Sequence, residues 1–155
     1  MQPSTDDFEF SADRDRVDPA WVHTVLRDHA YWAEGRTRDV QDRANAASRC
    51  YGVYAAATGA QVAFARVVTD AATFGWLCDV IVDPTLRGRG VGKILLTGVV
   101  ADIEPLGLKR TLLSTGDAHG LYAQHGWTPL GTPGSWMERL VADGTNGEAP
   151  DPRSA

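Results

Sequence analysis

Apolar positions along this chain switch between a helical and a strand-like spacing. Trp21, Val22, Val25 and Leu26 recur at i, i+1, i+4 and i+5, which lines one face of a helix. Asp18 is a suitable N-cap, Pro19 suits the first helical position, and Gly35 supplies a stop, so a helix is predicted over 18–35. A more polar stretch from Arg38 to Ser48 predicts a second helix. The run 49–70 then predicts two strands around a Thr58-Gly59 turn, and Thr73 to Asp83 predicts a third, ended by Pro84. Val91, Ile94, Leu95 and Val99 return to helical spacing. Arg110 to Thr115 reads as a strand, 118–126 as a short helix ended by Gly126, and 127–130 and 135–140 as two last short strands.

With a first strand near Phe8 to Ser11, the order is β-α-α-β-β-β-α-β-α-β-β. That is an α+β chain with a mixed sheet. The strand-helix-strand unit in its middle makes two strands parallel. Ligands of such sheets bind beyond the carboxyl ends of the strands. No internal repeat interrupts the pattern. Residues 143–155 are polar and rich in Pro and Gly, which predicts a disordered tail behind one domain of residues 1–142.

Composition narrows the function. At 155 residues the chain can bury a real core. Its 15 basic and 20 acidic residues leave a net charge of −5, which argues against a nucleic-acid partner. Cys50 and Cys78 form neither a disulfide framework nor a metal spacing, and both read as small buried hydrophobes. No metal site is expected. The N-terminal stretch lacks the basic and apolar regions of a signal peptide, and no apolar run reaches membrane-span length, so a cytoplasmic location is expected.

The segment "LRGRGVGK", Leu86 to Lys93, follows the apolar run "LCDVIV" and opens the predicted central helix. A P-loop would need Gly in place of Arg87 and Ser or Thr in place of Ile94. A dinucleotide fingerprint would need Gly at 93 or 95. What remains is Arg-x-x-Gly-x-Gly, formed by Arg87, Gly90 and Gly92. Its chemistry is that of an anion site, with backbone N–H groups at a helix start and Arg87, Arg89 and Lys93 around them.

The stretch "DVIVDPTLRGRGVGKILL" resembles the GNAT acetyltransferase superfamily, and "DAHGLYAQHGW" resembles that family's second motif, with Tyr122 and Gly126 in register, Trp127 for its Phe and Asp117 for its usual Asn. The resemblance implies the GNAT fold with a splayed pair of parallel strands. It also implies acetyl-CoA as co-substrate and a small-molecule or peptide amine as acceptor, in a monomer or homodimer. On the same basis Arg87, Gly88, Arg89, Gly90, Val91, Gly92 and Lys93 would hold the pyrophosphate, Asp117 and Tyr122 would lie at the donor, and the backbone of Val80, Ile81 and Val82 would bind the pantetheine arm and acetyl carbonyl.

The remaining assignments stay paired with plainer ones. Tyr122 can protonate the departing thiolate or simply pack on the core. Asp79, a carboxylate inside an apolar strand, can handle the acceptor's amine or be an ion-pair partner of an arginine such as Arg66. Strand parity would put it on one face with Leu77 and Ile81. His119 and His125 are other candidate bases. Tyr31 and Trp32 can wall the acceptor pocket, with Arg36 for an acidic substrate group, or Trp32 can belong to the core. Asp70 is expected to shape a turn. A non-catalytic acyl-CoA-binding or sensing protein is the alternative function.

Overall fold

Residues 5–141 are described by a computed structural model. The expected tail at 143–155 lies outside them. Nine main elements follow in order: β1 (Phe8–Ser11), α1 (Pro19–His29), α2 (Arg38–Ala46), β2 (Arg49–Ala55), β3 (Gln61–Thr69), β4 (Phe74–Val82), α3 (Val91–Ile103), β5 (Arg110–Leu112) and α4 (His119–Ala123). The strands form one mixed sheet in the order β1-β2-β3-β4-β5. The first four pair antiparallel, and β4 and β5 pair parallel, as the crossover through α3 requires.

Local chemistry accounts for the helix ends. The Asp18 carboxylate accepts from the Trp21 amide at 3.1 Å and Pro19 opens α1. That helix stops at His29, six residues before Gly35, because Ala30 turns extended and Tyr31–Ala33 form a separate 3-10 turn. Thr37 caps α2 through the Val40 amide. The Asp70 carboxylate accepts from the amides of Ala72, Thr73 and Phe74, so it shapes the β3–β4 turn as expected.

Two apolar layers flank the sheet. Tyr51, Val53, Ala63, Ala65, Val67 and Leu77 pack with Val91, Leu95, Leu96 and Val99 of α3. Cys50, Phe64 and Ile81 pack with Val22, Val25 and Leu26 of α1 on the other face. Both cysteines are free thiols. No helix among the described residues is long and apolar enough to cross a membrane.

Two expectations need correction. The stretches 127–130 and 135–140 form no strands, since neither meets a sheet edge with which to exchange backbone hydrogen bonds. And strand parity breaks inside β4. Phe64 faces Ile81 and Arg66 faces Cys78, so Ala65 alone opposes both Asp79 and Val80. This is a β-bulge, and Asp79 sits in it with φ of 53°. Leu77 therefore packs toward α3 while Ile81 packs toward α1.

Candidate active site

β4 and β5 pair only from Phe74–Arg110 to Trp76–Leu112. From Leu77 to Val82, β4 has no strand on that side among the described residues, so the two parallel strands part. The bulge bends β4 in this unpaired half. Val80 and Val82 are half-buried against the α3 layer. Ile81 is buried on the α1 side.

The glycine-rich turn closes the carboxyl end of β4. Gly88 and Gly90 both have φ of 80°, a left-handed conformation that other residues adopt at a cost. Gly90 is the N-cap of α3 and offers no side chain to the amides beyond it. The first helical bond runs from the Ile94 amide to the Gly90 carbonyl, so the amides of Val91, Gly92 and Lys93 precede the helical ladder. A Cβ on Gly92 would lie 3.9 Å from Val82 and 3.7 Å from Leu121. The turn, the end of β4 and α4 thus meet at Gly92. Arg87, Arg89 and Lys93 are exposed around it, Arg89 with its guanidinium 5.4 Å from the centre of the Phe8 ring. Backbone donors, a helix dipole and three cations form a donor set that fits a pyrophosphate.

Tyr122 is buried on α4, with its ring 6.1 Å from that of Trp127 and nearly perpendicular to it. Trp127 is itself fixed, because its indole donates to the Thr111 carbonyl at 2.9 Å. Burial, then the nearby Asp117 carboxylate, then Tyr31 push the Tyr122 phenol up to about 12. It holds its proton throughout the neutral range. Tyr31 and Asp117 accordingly lie within electrostatic reach of it. Asp117 is exposed just before α4.

Asp79 is the centre of a buried polar cluster. Its Oδ2 lies 2.9 Å from Arg36 Nη1 and 2.7 Å from Arg66 Nε. The Trp32 indole donates to Oδ1 at 3.0 Å and the Gln41 amide to Oδ2 at 3.2 Å. Burial alone would raise this carboxyl's pKa, but Arg66 and Arg36 beside it hold it below the ordinary carboxylate range. The geometry is that of the plainer reading, an ion pair that includes Arg66. Arg36 is buried in the same cluster and also donates to Gln41, which leaves it inside the protein rather than at an acidic substrate group. Trp32 packs partly on the α1 layer and meets Tyr31 edge to face at 5.1 Å.

The histidines divide. His125 is held between Thr97 and the Leu121 carbonyl, at the back of α4. His119 is exposed at the start of α4. Burial pushes the Cys78 thiol, beside Asp79, up to about 12, which keeps it protonated. Gln41 is the site-region residue that sequence reasoning misses. It is fully buried in the polar stretch 38–48, where a lone amide looks like any other solvent-facing residue.

This combination of a parted parallel pair, a glycine turn opening a helix, and a buried tyrosine on the short helix α4 has relatives. The family model described as "Acetyltransferase (GNAT) family" matches residues 16–127. The chain belongs to the GNAT acetyltransferase family. A Xanthomonas campestris pv. campestris protein described as belonging to the same family is 42% identical, with a TM-score of 0.82 over 91% of this chain and 96% of that one. A Clostridium acetobutylicum protein solved with acetyl-CoA is 15% identical, with a TM-score of 0.64 over 87% and 96%. A Mycobacterium tuberculosis protein in complex with CoA is 18% identical, with a TM-score of 0.66 over 79% and 72%. These last two share the fold. No curated protein matches the chain. As a GNAT protein it is an acyltransferase, of a family whose acyl donor is acetyl-CoA.

Proposed function

We propose that this GNAT protein transfers an acetyl group from acetyl-CoA to a primary amine by direct attack in a ternary complex. The observation that carries the reading is the parting of β4 from β5 beside the amides that open α3. The donor's pyrophosphate rests on the amides and cations of Gly88 to Lys93, and its pantetheine arm runs along the unpaired half of β4. Backbone donors of Val80 to Val82 polarise the thioester carbonyl, a contribution that can reach several kcal/mol at a preorganised site.

The amine nitrogen attacks the thioester carbon, a C–N bond forms, and the C–S bond breaks. The phenol of Tyr122 gives its proton to the departing thiolate and is restored from solvent. The acceptor's ammonium loses one proton to water before it attacks, and the nitrogen loses a second to water as the C–S bond breaks. Asp79 takes no proton in this scheme. A carboxylate held by two guanidinium groups is too weak a base, and its work is to anchor the bulge that shapes β4. Tyr31 and Trp32 line the acceptor's side of the gap. The protein works as a soluble cytoplasmic enzyme.

The test is release of free CoA thiol from acetyl-CoA on adding a panel of small amines, amino acids and peptides, with the acetylated product identified by mass. Acceleration by at least one amine supports the reading. Tight acetyl-CoA binding with no turnover on any acceptor replaces it with an acyl-CoA sensor.

A further inference from the structure

Asp79 occupies the left-handed region, with φ of 53°. A residue other than glycine holds such a conformation only where its surroundings over-determine it. Four side chains supply that hold. Trp32 and Arg36 donate to Oδ1, and Arg36, Gln41 and Arg66 donate to Oδ2. Trp32 and Arg36 come from the connection between α1 and α2, Gln41 from α2, and Arg66 from β3. The bulge of β4 is thus pinned from the face of the sheet on which α1 packs.

Trp32 differs from the other three. Arg36 and Arg66 carry the charges that balance the carboxylate. Arg36 also donates to Gln41, and Arg66 to Ser48, so the cluster is cross-linked without the indole. The indole is neutral and brings a single N–H, 3.0 Å from Oδ1. Its removal leaves both ion pairs standing. What it holds is the short 3-10 turn Tyr31–Ala33, where Trp32 is half-buried and meets Tyr31 edge to face. Tyr31 in turn lies within electrostatic reach of Tyr122. One hydrogen bond therefore joins the turn that carries Tyr31 to the strand beside the gap.

We propose that Trp32 is a positioning residue of acyl transfer, whose indole N–H, through Asp79, fixes the bulge of β4 and the Tyr31–Ala33 turn as one unit. The inference rests on the transfer reading above, in which the turn walls the acceptor's side and the backbone beyond the bulge polarises the thioester. The relative placement of the two sets the geometry of attack, to which rate is steeply sensitive. A bond that serves alignment rather than donor binding acts in the transition state. Its loss lowers kcat and kcat/KM together and leaves donor affinity alone.

Two substitutions separate the N–H from the bulk of the ring. Trp32→Phe keeps a ring against Tyr31 and removes the donor. Trp32→His removes the six-membered ring and keeps an N–H, because the five-membered rings of indole and imidazole superpose with Nε2 on Nε1. Steady-state kinetics use acetyl-CoA and the amine that the wild-type chain acetylates fastest, beside calorimetry with acetyl-CoA and hydrogen exchange at residues 79–82. Trp32→Phe is expected to lower kcat roughly tenfold, to leave acetyl-CoA affinity unchanged and to speed exchange at 79–82, in a chain that circular dichroism shows folded. Trp32→His is expected to recover most of the lost rate. Normal kcat in Trp32→Phe overturns the proposal. So does a loss in Trp32→His as large as in Trp32→Phe, which would make Trp32 a packing residue. A wild-type chain that acetylates no amine ends the transfer reading, and exchange at 79–82 then decides the tie by itself: faster exchange in Trp32→Phe upholds it, and unchanged exchange overturns it.

Discussion

In the proposed reaction Tyr122 supplies a proton and Asp79 a shape. Tyr122→Phe keeps the ring against Trp127 and removes only the hydroxyl. Turnover is expected to fall roughly 10²-fold, with acetyl-CoA affinity nearly unchanged, and calorimetry beside steady-state kinetics checks both. Near-normal turnover would leave Tyr122 a packing residue. Asp79 holds a left-handed backbone conformation that Asn also tolerates. Asp79→Asn therefore keeps the bulge backbone and removes the charge that two arginines face. Breaking such a buried pair costs about 3–5 kcal/mol, so thermal unfolding should move down clearly. The pH–rate profile at a temperature where the variant is folded should keep its midpoints. A shifted midpoint would return Asp79 to the proton chemistry. The sequence marks Asp79 as unusual, because a carboxylate in an apolar strand requires a partner. It does not reveal which partners, since Arg36 and Gln41 come from distant elements whose packing no local pattern encodes.

At the scale of elements, capping and periodicity carried most of the reading. Asp18, Pro19 and the stripe through Leu26 place α1, and Gly90 with the Val91–Val99 stripe places α3. The bulge in β4 escapes such reading, because one extra residue changes no residue type and yet turns Ile81 to the opposite face from Leu77. The last two expected strands also escape, because a strand is completed by its neighbour. The fit of α3 on the sheet gives an element-scale prediction. A Cβ on Gly98 would overlap the Phe10 ring of β1. Gly98→Ala is expected to destabilise the fold by about 1–3 kcal/mol through overpacking, despite alanine's better helix propensity. Denaturant unfolding measures it, and an unchanged midpoint would mean that β1 shifts freely.

For the whole molecule, stability should fall at both ends of the pH scale. Burial opposes the charge on Asp79 and on Asp102 of α3, but Arg66 and Arg36 beside the first, and Arg49 and Tyr51 beside the second, hold their folded pKa values below the ordinary range. Their stabilisation is full above the unfolded value of about 3.9 and is lost as pH drops through the lower folded values. Buried Tyr54 and Tyr122 are both pushed up to about 12. Their contribution is full below the unfolded value of about 10 and is lost as pH rises toward 12. Melting temperature measured against pH should thus be level with respect to these groups between roughly 5 and 9. A decline beginning inside that window would assign the sensitivity to other groups.

The account rests on the donor lying across the start of α3, and acetyl-CoA binding by calorimetry tests this most directly. Gly92 is helical, and its Cβ position has only ordinary contacts with Val82 and Leu121, so Gly92→Glu can fold while placing a carboxylate where the proposed function puts the pyrophosphate. The wild-type chain should bind acetyl-CoA with 1:1 stoichiometry. Gly92→Glu should weaken that binding at least tenfold, or about 1.4 kcal/mol, with the circular dichroism spectrum unchanged. Equal affinity in a folded variant would contradict the assignment of this turn as the donor's cradle.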